Sequence, residues 1–342
     1  MKTVYVGMSG GVDSSVTALI LKEQGYNVIG IYMKNWSEDL PGMKCPWAED
    51  LADAKRVAVK LGIDFKVWDF EKSYRNKVVE YMLSEFKKGN TPNPDIMCNQ
   101  EIKFKLFYEK AMEEGADYIA TGHYARIIND KLARAVDENK DQTYFLYRIS
   151  EKALNHTLFP IGGMKKPEVK KLAEMNGLHN AYKKESMGVC FVGEVGMKDF
   201  LKKYIDTEPG EIREIETDKV LGYHEGAVFY TIGQRHGLYI SAEVPYYVVK
   251  KDVKKNIVYV SKNLNNSELW IKELKLKDLL LRTKKGSFSN EVLVRIRHRA
   301  PLIPATFDGK MLKFKHEIKR PASGQSAVLY DNEICLGGGI IT

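Results

Sequence analysis

The sequence predicts a mixed α/β protein: a doubly wound parallel sheet at the N-terminal end, followed by two small β-rich modules. Three observations indicate this. The first half alternates short β-branched runs with segments of helical spacing. From about residue 193, short alternating strands punctuated by Gly, Pro and Asn replace that pattern. The chain also has 342 residues, which is long enough for two or three cores.

The first half contains four strand-like runs and four helix-like segments. The predicted buried parallel strands are TVYVGM, YNVIGIYM, FKVWDF and ADYIATGH, beginning at Thr3, Tyr26, Phe65 and Ala116. The predicted helices cover 14–24, 49–61, 74–87 and 101–114. Strand and helix in repetition predict right-handed crossovers, and therefore helices on both faces of one sheet.

The second half is predicted to be almost entirely strands. The predicted strands are AVFYTIG, YYVVKKD, NIVYVS, EVLVRIRHR, MLKFKHEI, SAVLYD and EICLGGGII, beginning at Ala227, Tyr246, Asn256, Glu291, Met311, Ser326 and Glu333. We interpret the last module as a six-strand barrel. The predicted domains are therefore 1–197, 198–264 and 265–342.

Composition excludes several classes of protein. The four cysteines are scattered and form no CxxC or Cys/His spacing, which argues against a disulfide scaffold or a zinc finger. No apolar run approaches the length of a membrane span, so we expect no membrane association and a cytoplasmic location. The net charge of +8 suits a polyanionic partner such as RNA, although many enzymes share it.

The segment SGGVDSS, residues 9–15, follows the first predicted strand and opens the first helix. Gly10 and Gly11 let the backbone approach an anion, the serines supply hydroxyl donors, and the helix start adds oriented N–H groups. The segment lacks the lysine of a Walker A motif, so we do not expect it to grip the β and γ phosphates as kinases do. It predicts a phosphate-binding loop.

SGGxDS is similar to the pyrophosphate loop of ATP pyrophosphatases, which adenylate a substrate and release pyrophosphate. Asp13 is then expected to organise Mg²⁺, because an acidic residue beside phosphates needs a cation between them. This class includes amidation, argininosuccinate formation, lysidine formation and tRNA thiolation. The loop therefore indicates ATP activation and leaves the acceptor open.

Two cysteines lie in contexts that favour reactivity. Cys98 follows the turn GNTPNPDIM and precedes a helix predicted to start near Asn99, with Lys103 and Lys105 close in sequence. A helix N-terminus and nearby cations favour the thiolate. Cys190 lies in the glycine-flanked segment KESMGVCFVG. By contrast, Cys45 and Cys335 are interpreted as structural.

Further motifs extend over the whole chain: TGHYAR from Thr121, DQTYFLYR from Asp141, YTIGQRHGLYI from Tyr230 and ASGQSAVLYDNEICLGGG from Ala322. With the loop and the two cysteines, they make the sequence closely resemble the bacterial tRNA-specific 2-thiouridylases. The resemblance implies a tRNA-uridine 2-sulfurtransferase, which adenylates the wobble uridine and replaces its O2 with persulfide sulfur, giving 2-thiouridine, AMP and pyrophosphate. The implied partners are tRNAs for Lys, Glu and Gln, and a sulfur-relay protein or cysteine desulfurase.

The resemblance also assigns residues. It implies Cys98 as nucleophile and Cys190 as the cysteine that receives persulfide sulfur. In the mechanism that we expect, Cys98 attacks the persulfide, either liberating hydrosulfide or helping to expel the product. Attack on the inner sulfur leaves a Cys98–Cys190 disulfide, and Asp95 shuttles the proton. The implied ATP-binding residues are Gly7, Met8, Ser9, Gly10, Gly11, Val12, Asp13, Ser14, Met33 and Gly122. The implied tRNA-contacting residues are Asn93, Pro94, Asp95, His123, Lys140, Asp141, Gln142, Arg297, His298 and Gln325. We also expect phosphate contacts from Arg295 and Arg299.

The sequence departs from the family pattern at four positions. Glu185 and Met187 replace Asp and Thr, His298 stands where Tyr is frequent, and Gln100 where Lys is frequent.

Three alternatives stay open at this point. Cys98, Cys190 and Asp95 are also compatible with ligation of a [4Fe-4S] cluster. The chain could instead be a 4-thiouridine or lysidine synthetase. A non-catalytic tRNA-binding protein with a nucleotide-sensing loop is the third interpretation.

Overall fold

A computed structural model describes residues 1–39, 45–184, 196–282 and 289–342. The chain divides into two compact units. The first unit comprises Met1–Val79, Pro94–Val195 and Tyr330–Leu336. The second comprises Glu80–Asn93, Gly196–Leu329 and Gly337–Thr342.

The helices lie mainly in the first unit. They are α1 (Val12–Glu23), α2 (Trp47–Leu61), α3 (Glu71–Tyr74), α4 (Glu80–Lys87), α5 (Pro94–Cys98), α6 (Phe107–Glu113), α7 (Thr143–Leu146), α8 (Glu151–Leu154), α9 (Lys166–Met175) and α10 (Met197–Lys202). Two π-helical segments, Arg75–Val79 and Asn99–Leu106, join α3 to α4 and α5 to α6. Within the described ranges, no helix has the length and apolar character needed to cross a membrane.

The described strands form three sheets. They are β1 (Thr3–Gly7), β2 (Asn27–Lys34), β3 (Asp64–Asp69), β4 (Tyr118–Thr121), β5 (Ala125–Ile128), β6 (Lys131–Arg134), β7 (Thr157–Leu158), β8 (Gly210–Glu214), β9 (Val220–His224), β10 (Tyr247–Asp252), β11 (Ile257–Ser261), β12 (Trp270–Leu281), β13 (Glu291–Arg295), β14 (Ile303–Phe307), β15 (Met311–Lys319), β16 (Ser326–Asp331) and β17 (Ile334–Ile341).

The first unit is built on a parallel sheet of order β3-β2-β1-β4-β7. Val4 and Val6 of β1 are fully buried because the central strand of a sheet with helices on both faces meets apolar side chains on each side. Val16 of α1 and Val57 of α2 belong to the same core. The four predicted strands and the mixed α/β class are confirmed. The expected burial of the third strand is wrong, because β3 lies at the edge of the sheet and only its Trp68 is buried.

The strand order fixes where a ligand can bind. The chain builds β1, β2 and β3 toward one edge and then returns to place β4 on the other side of β1. The loops after β1 and β4 therefore leave the sheet in opposite directions and open a crevice at its carboxyl edge. The predicted phosphate loop follows β1, and Gly122 follows β4.

The second unit contains two β modules. In the first, β8 pairs parallel with β11, and antiparallel pairs extend the sheet to the order β10-β11-β8-β9 over a core that includes Ile212, Val248 and Val258. In the second, β12, β15, β14, β13, β16 and β17 neighbour one another in that order, and β12 also pairs with β17. That pairing closes a six-strand barrel, as predicted.

One predicted strand is wrong. The run AVFYTIG forms a 3₁₀ turn at Ala227–Phe229 followed by further turns. Gly226 precedes it with a φ of 147°, a conformation that strands of ordinary residues do not adopt. Ala227 and Tyr230 still bury their side chains in the module core. The apolar run therefore predicts the burial of these side chains correctly, but it does not form the expected β-strand.

Candidate active site

The phosphate loop is held in shape by its own hydroxyl groups. Ser14 Oγ donates to Gly11 O over 3.0 Å and accepts from the Ser9 backbone N–H over 3.2 Å. Ser15 Oγ donates to the same carbonyl over 2.9 Å. Because Ser15 is fully buried, its hydroxyl stabilises the loop and is not positioned as a phosphate donor.

Asn180 also braces this loop. Its Nδ2 donates to Gly10 O and to Ser15 Oγ, each over 2.9 Å. Asn180 and Gly10 are 170 positions apart in the sequence. The side chain is buried, and its Oδ1 has no hydrogen-bond partner among the residues that the structure describes. In a trans peptide the C=O and the following N–H point in opposite directions. By holding Gly10 O, Asn180 therefore fixes the direction of the Gly11 N–H.

Close backbone contacts explain two of the predicted glycines, Gly10 and Gly122, whereas Gly7 meets the end of a flexible side chain. A Cβ on Gly10, which has a φ of +77°, would lie 2.4 Å from Asp50 O. A Cβ on Gly122 would lie 2.7 Å from the Ser14 backbone nitrogen. One on Gly7 would lie 2.9 Å from Cε of Met33. The loop, the end of β4 and the end of β2 thus meet at the crevice, where the resemblance places ATP.

Met8 and Val12, also assigned to ATP, point into the core. Their side chains pack within the first unit, so only their backbone groups remain for a nucleotide.

Asp13 lies in the first turn of α1 and has two side-chain partners. Lys166 Nζ lies 2.7 Å from Asp13 Oδ1 and 2.8 Å from Oδ2. Tyr124 donates its hydroxyl to Oδ1 over 2.9 Å. Lys166 and Tyr124 are both buried, whereas the Asp13 side chain keeps 27% of its surface exposed. The carboxylate therefore faces the crevice with a cation and a phenol behind it.

Cys98 lies inside a continuous helical segment. α5 begins at Pro94, the π-helical residues Asn99–Leu106 follow, and α6 continues to Glu113. The expected helix start near Asn99 is wrong, because proline suits the first position of a helix and starts it earlier. Cys98 is only 4% exposed. π-Helical segments are uncommon and often mark functional sites.

Asp95 and Cys98 share one face of α5, since residues three apart are neighbours on a helix. Burial raises the pKa of the Asp95 carboxyl above its ordinary value, while the charge of Lys103 lowers it. A carboxylate with a raised pKa is a stronger base, which suits a proton shuttle. Next to Cys98, Asn99 donates to Phe145 O over 3.2 Å, and within the described ranges its buried Oδ1 has no hydrogen-bond partner.

His123 connects the Cys98 helix to the end of β4. Its ring lies 5.7 Å from that of Phe104 and 6.4 Å from that of Phe159, and its Nδ1 lies 2.8 Å from Thr121 Oγ1. Burial lowers the pKa of His123 well below its ordinary value of 6.5, and Lys103 lowers it further. Such a neutral, buried ring is the environment of a core histidine, and it disfavours direct contact with RNA.

The residues assigned to tRNA in segment 140–142 are largely engaged within the protein. Asp141 is 1% exposed and accepts hydrogen bonds from Thr143 Oγ1 and from the Ala135 backbone N–H. Gln142 Oε1 accepts from the Tyr124 backbone N–H over 2.9 Å. Lys140 is half-buried. Asp141 and Gln142 therefore brace the segment that carries Tyr124.

In the second unit, Gln325 donates through Nε2 to Thr91 O over 2.7 Å. The Thr91 backbone N–H donates to Ser323 O over 2.8 Å. Gly324, with a φ of +92°, has no room for a Cβ, which would lie 2.9 Å from the Cβ of Asn90. These hydrogen bonds and the close contact at Gly324 hold the residues that lead into Asn93, the first residue assigned to the target uracil.

The arginines of the barrel differ in exposure. Arg297 and Arg299 are exposed and His298 is half-buried, whereas Arg295 is only 5% exposed. Burial of Arg295 contradicts its assignment to a phosphate-contacting surface. It is the last residue of β13 and directly follows the buried Val294.

Cys190, Glu185 and Met187 lie outside the described residues. Of the other cysteines, Cys335 is buried in β17. The pKa of the half-buried Cys45 thiol is raised above its ordinary value because burial outweighs a hydrogen bond from the Trp47 backbone N–H, which lowers it. Gln100 accepts a hydrogen bond from Arg148 Nε over 2.5 Å, so it has a structural partner where the family frequently has Lys.

Lys166, Tyr124 and Asn180 were not predicted from the sequence as site residues. Lys166 lies 153 positions from Asp13, so only the packing of α9 against α1 brings the two together. No motif around Lys166 or Asn180 indicated a nucleotide site.

Comparison with known proteins agrees with this architecture. Residues 2–194 match the family described as tRNA methyl transferase HUP domain. Residues 198–262 match the tRNA methyl transferase PRC-barrel domain, and residues 271–341 the aminomethyltransferase beta-barrel domain. A solved complex of a 4-thiouridine synthetase with RNA and bound ATP is 18% identical, covering 54% of this chain and 43% of that chain, with a TM-score of 0.36. A likeness that low carries no argument about function.

Curated relatives match the whole chain. The tRNA-specific 2-thiouridylase MnmA of Listeria welshimeri is 48% identical over 99% of this chain and 94% of its own length. That of Listeria monocytogenes serotype 4b is 47% identical with the same coverage. With this identity over nearly the full length of both chains, the chain belongs to the tRNA-specific 2-thiouridylase family.

Proposed function

We propose that this protein is an ATP-dependent tRNA sulfurtransferase that converts the wobble uridine of tRNA into 2-thiouridine. The observation that carries the proposal is that two elements of the first unit meet at the end of β4: the loop after β1 and the helical segment that carries Cys98. The loop after β1 opens at the crevice beside β4, and the Cys98 helix packs through Phe104 on His123 at the end of β4. Activation and thiol chemistry are thereby supported from the same end of one sheet.

The activation step uses the phosphate loop. The O2 atom of the uracil attacks the α-phosphorus of ATP, the bond to the β-phosphate breaks, and pyrophosphate leaves. The Gly11 N–H, oriented by Asn180 through Gly10 O, and the helix start after it stabilise the phosphates. The uracil N3 proton goes to a base, for which Asp95 is the candidate.

The loop also fits a divalent cation. The Asp13 side chain keeps 27% of its surface exposed although Lys166 contacts both of its oxygens, and oxygen ligands suit Mg²⁺. Mg²⁺ bound with ATP would neutralise phosphate charge. Asp13 is the residue that would hold it, while Lys166 and Tyr124 orient the carboxylate.

The sulfur step is a thiol exchange followed by substitution. A sulfur-relay protein or cysteine desulfurase loads Cys190 as a persulfide. The Cys98 thiolate attacks the inner sulfur, a Cys98–Cys190 disulfide forms, and hydrosulfide leaves. Hydrosulfide attacks C2 of the adenylated uracil and AMP departs, giving 2-thiouridine. A cellular dithiol then reduces the disulfide.

Substrate recognition is assigned to both units. Asn93, Pro94 and Asp95 are the proposed contacts to the uracil. Arg297 is exposed, as a phosphate-contacting residue must be. The proposed substrates are the tRNAs for Lys, Glu and Gln.

The iron–sulfur alternative requires Cys190. Across the part of the chain that the structure describes, no three His, Cys, Asp or Glu side chains meet as a metal-binding group. Because Cys190 falls outside that part, the two mechanisms are distinguished by the products that each leaves on the protein. A persulfide mechanism leaves a Cys98–Cys190 disulfide after one turnover, whereas a cluster mechanism requires bound iron.

The experiment is a single-turnover reaction with tRNA, ATP and a persulfide donor, followed by non-reducing peptide mapping. Cys190→Ser is expected to lose persulfide loading, whereas Cys98→Ser is expected to load sulfur without transferring it. Cys45→Ser is the matched control, because the pKa of its thiol is raised and it is assigned no role. Thiolation by the Cys98 variant, or bound iron with no disulfide, would contradict the persulfide mechanism.

A further inference from the structure

The motif YTIGQRHGLYI, which begins at Tyr230, lies between β9 and β10 in the module built on β8, β9, β10 and β11, here the central module. No residue of this module is assigned to ATP or to tRNA. Thr231, the second residue of the motif, places its Oγ1 3.2 Å from Oγ1 of Thr91, and both residues belong to the second unit. Thr91 stands two positions before Asn93, the first residue assigned to the target uracil. The motif therefore contacts the segment that leads to the uracil site.

The backbone of this segment also runs close to the end of β10. Gly89 has a φ of +85°, and a Cβ on it would lie 2.7 Å from Cγ2 of Val253, which follows β10. The same Cβ would lie 4.0 Å from Cε of Lys251. A branched valine side chain has few rotamers with which to move aside. The central module therefore packs against the start of the segment as well as against Thr91.

Lys251 brings a cation to this contact. Its ammonium donates to Tyr230 O over 2.6 Å. Burial lowers the pKa of Lys251 to about 8, because taking an ammonium out of water costs free energy. An apolar side chain of similar length would pack here without that cost. What the lysine adds is a charge-assisted hydrogen bond to one carbonyl, which is stronger than a neutral one.

That hydrogen bond fixes the peptide between Tyr230 and Thr231. The peptide is trans, so its C=O and N–H point in opposite directions. While Lys251 holds the C=O, the Thr231 N–H donates to Oε1 of Gln234 over 3.0 Å. On the other side, Thr231 O accepts from the Gln234 backbone N–H over 3.0 Å. The Thr231 backbone is therefore held before and after its Cα, which sets where its hydroxyl meets Thr91.

The barrel holds Thr91 by its backbone. Thr91 O accepts from Gln325 Nε2 over 2.7 Å, and the Thr91 N–H donates to Ser323 O over 2.8 Å. The Thr91 side chain is held by the central module, through Thr231. Hydrogen bonds from two modules therefore fix the point at which the chain enters Asn93.

We propose that Thr231 and Lys251 are positioning residues of the thiolation reaction: through them the central module holds Thr91, and with it Asn93, in the geometry that receives the target uracil. The inference rests on the proposed function and assigns the central module a part in it. In this role neither residue needs to touch the uracil. A displacement of about 1 Å at a site can lower its rate about 100-fold, so a segment that is held less firmly is expected to react more slowly.

Amide hydrogen exchange of the whole protein tests whether the segment is held in this way. Thr231→Val removes the hydroxyl and keeps the branched shape, whereas Lys251→Met removes the ammonium and keeps the unbranched stem. We expect each variant to speed exchange of the amides of 88–91 and Asn93 about 3- to 10-fold. Lys250→Met is the matched control, because Lys250 is the exposed neighbour of Lys251 on β10. Unchanged exchange would overturn the proposal, and Thr231→Val decides alone if Lys251→Met does not fold.

Single-turnover thiolation with tRNA, ATP and a persulfide donor tests the effect on the reaction. Thr231→Val is expected to lower the rate constant about 3- to 10-fold, the effect of one hydrogen bond, while the Kd values for tRNA and ATP stay within about twofold. Thr231→Ser, which keeps the hydroxyl, is expected to restore the rate. A residue that only stabilised the fold would leave the rate constant of the folded protein unchanged. That result, or a Ser variant as slow as the Val variant, would overturn the proposal.

A double variant isolates the hydroxyl pair. Because Thr91→Val and Thr231→Val remove the same hydrogen bond, the double variant is expected to be no slower than the slower single variant. Losses that multiply would mean that the two hydroxyls act separately, which contradicts the assignment.

The exchange experiment needs no tRNA, so its outcome is independent of the proposed function. If the wild-type protein thiolates tRNA and Thr231→Val exchanges faster but reacts at the normal rate, the positioning assignment fails and the proposed function stands. If the wild-type protein does not thiolate tRNA while both variants exchange faster, the proposed function fails and the structural contact stands.

Discussion

Asn180 Nδ2 lies 2.9 Å from Gly10 O, so a residue near the end of the first domain sets the orientation of a peptide in the phosphate loop. The same nitrogen donates to Ser15 Oγ, whose proton is donated to Gly11 O. Two hydrogen bonds thus hold two consecutive loop carbonyls, and a third joins the two side chains that donate them.

Replacing this amide tests the arrangement. Asn180→Ala is expected to lower the free energy of unfolding by about 1–3 kcal/mol, because Gly10 O is left buried without its donor. ATP affinity is expected to fall as well, since the Gly11 N–H loses its fixed direction. Urea unfolding and calorimetric titration measure the two effects. Tyr182→Ala is the control, because Tyr182 is 81% exposed. Unchanged ATP affinity in Asn180→Ala would limit this residue to stability.

Gly122→Ala tests the contact between the end of β4 and the loop. A Cβ at this position would lie 2.7 Å from Ser14 N and 2.8 Å from Asp13 C, which are backbone atoms that cannot move alone. We expect destabilisation of about 1–3 kcal/mol and weaker ATP binding. At Gly163 a Cβ meets nothing within 4 Å, so Gly163→Ala is the matched control. Equal behaviour of the two variants would mean that β4 does not support the loop.

Asp95→Asn is expected to stabilise the protein while abolishing its activity. Because burial raises the pKa of Asp95 in the folded state, ionisation at neutral pH costs folding free energy. The advantage of the Asn variant is therefore full above the raised pKa. It shrinks as the pH falls through that pKa and is lost below the ordinary value of 3.8. Unfolding free energies of both proteins across acidic and neutral pH measure it. A difference independent of pH would rule out this origin.

Arg297→Ala concerns RNA binding by the barrel. If the exposed Arg297 neutralises one phosphate, its loss is expected to weaken tRNA binding and reduce the log–log salt slope by about one unit. Arg297→Lys keeps the charge and should preserve the slope. Filter binding across salt concentrations provides the measurement. An unchanged slope in the Ala variant would mean that Arg297 is a solvated side chain that contacts no phosphate.

Much of the fold follows from local sequence. The runs beginning at Thr3, Tyr26 and Ala116 are apolar and form strands inside the parallel sheet, where such runs are buried. The run beginning at Phe65 forms the edge strand, and most of its side chains are exposed. Gly10 and Gly122 were assigned to the ATP site from the resemblance, and their backbones admit no Cβ. The division into domains 1–197, 198–264 and 265–342 remains a prediction.

The remaining features depend on tertiary packing. Lys166 and Asn180 reach the loop across 153 and 170 positions, a pairing that no local pattern encodes. Burial of Arg295 at the end of β13 depends on tertiary contacts that neither strand alternation nor its sequence neighbours indicate. The run from Ala227 has strand composition, but a glycine conformation at Gly226 diverts it into turns.

The most direct test of the account is nucleoside mass spectrometry of unmodified tRNA for Lys, Glu or Gln after reaction with the purified protein, ATP and a persulfide donor. We predict 2-thiouridine at the wobble position, formed with AMP and pyrophosphate, and absent when ATP is omitted or with Cys98→Ser. Formation of 4-thiouridine or lysidine, or tRNA binding without any modified nucleoside or pyrophosphate release, would contradict it.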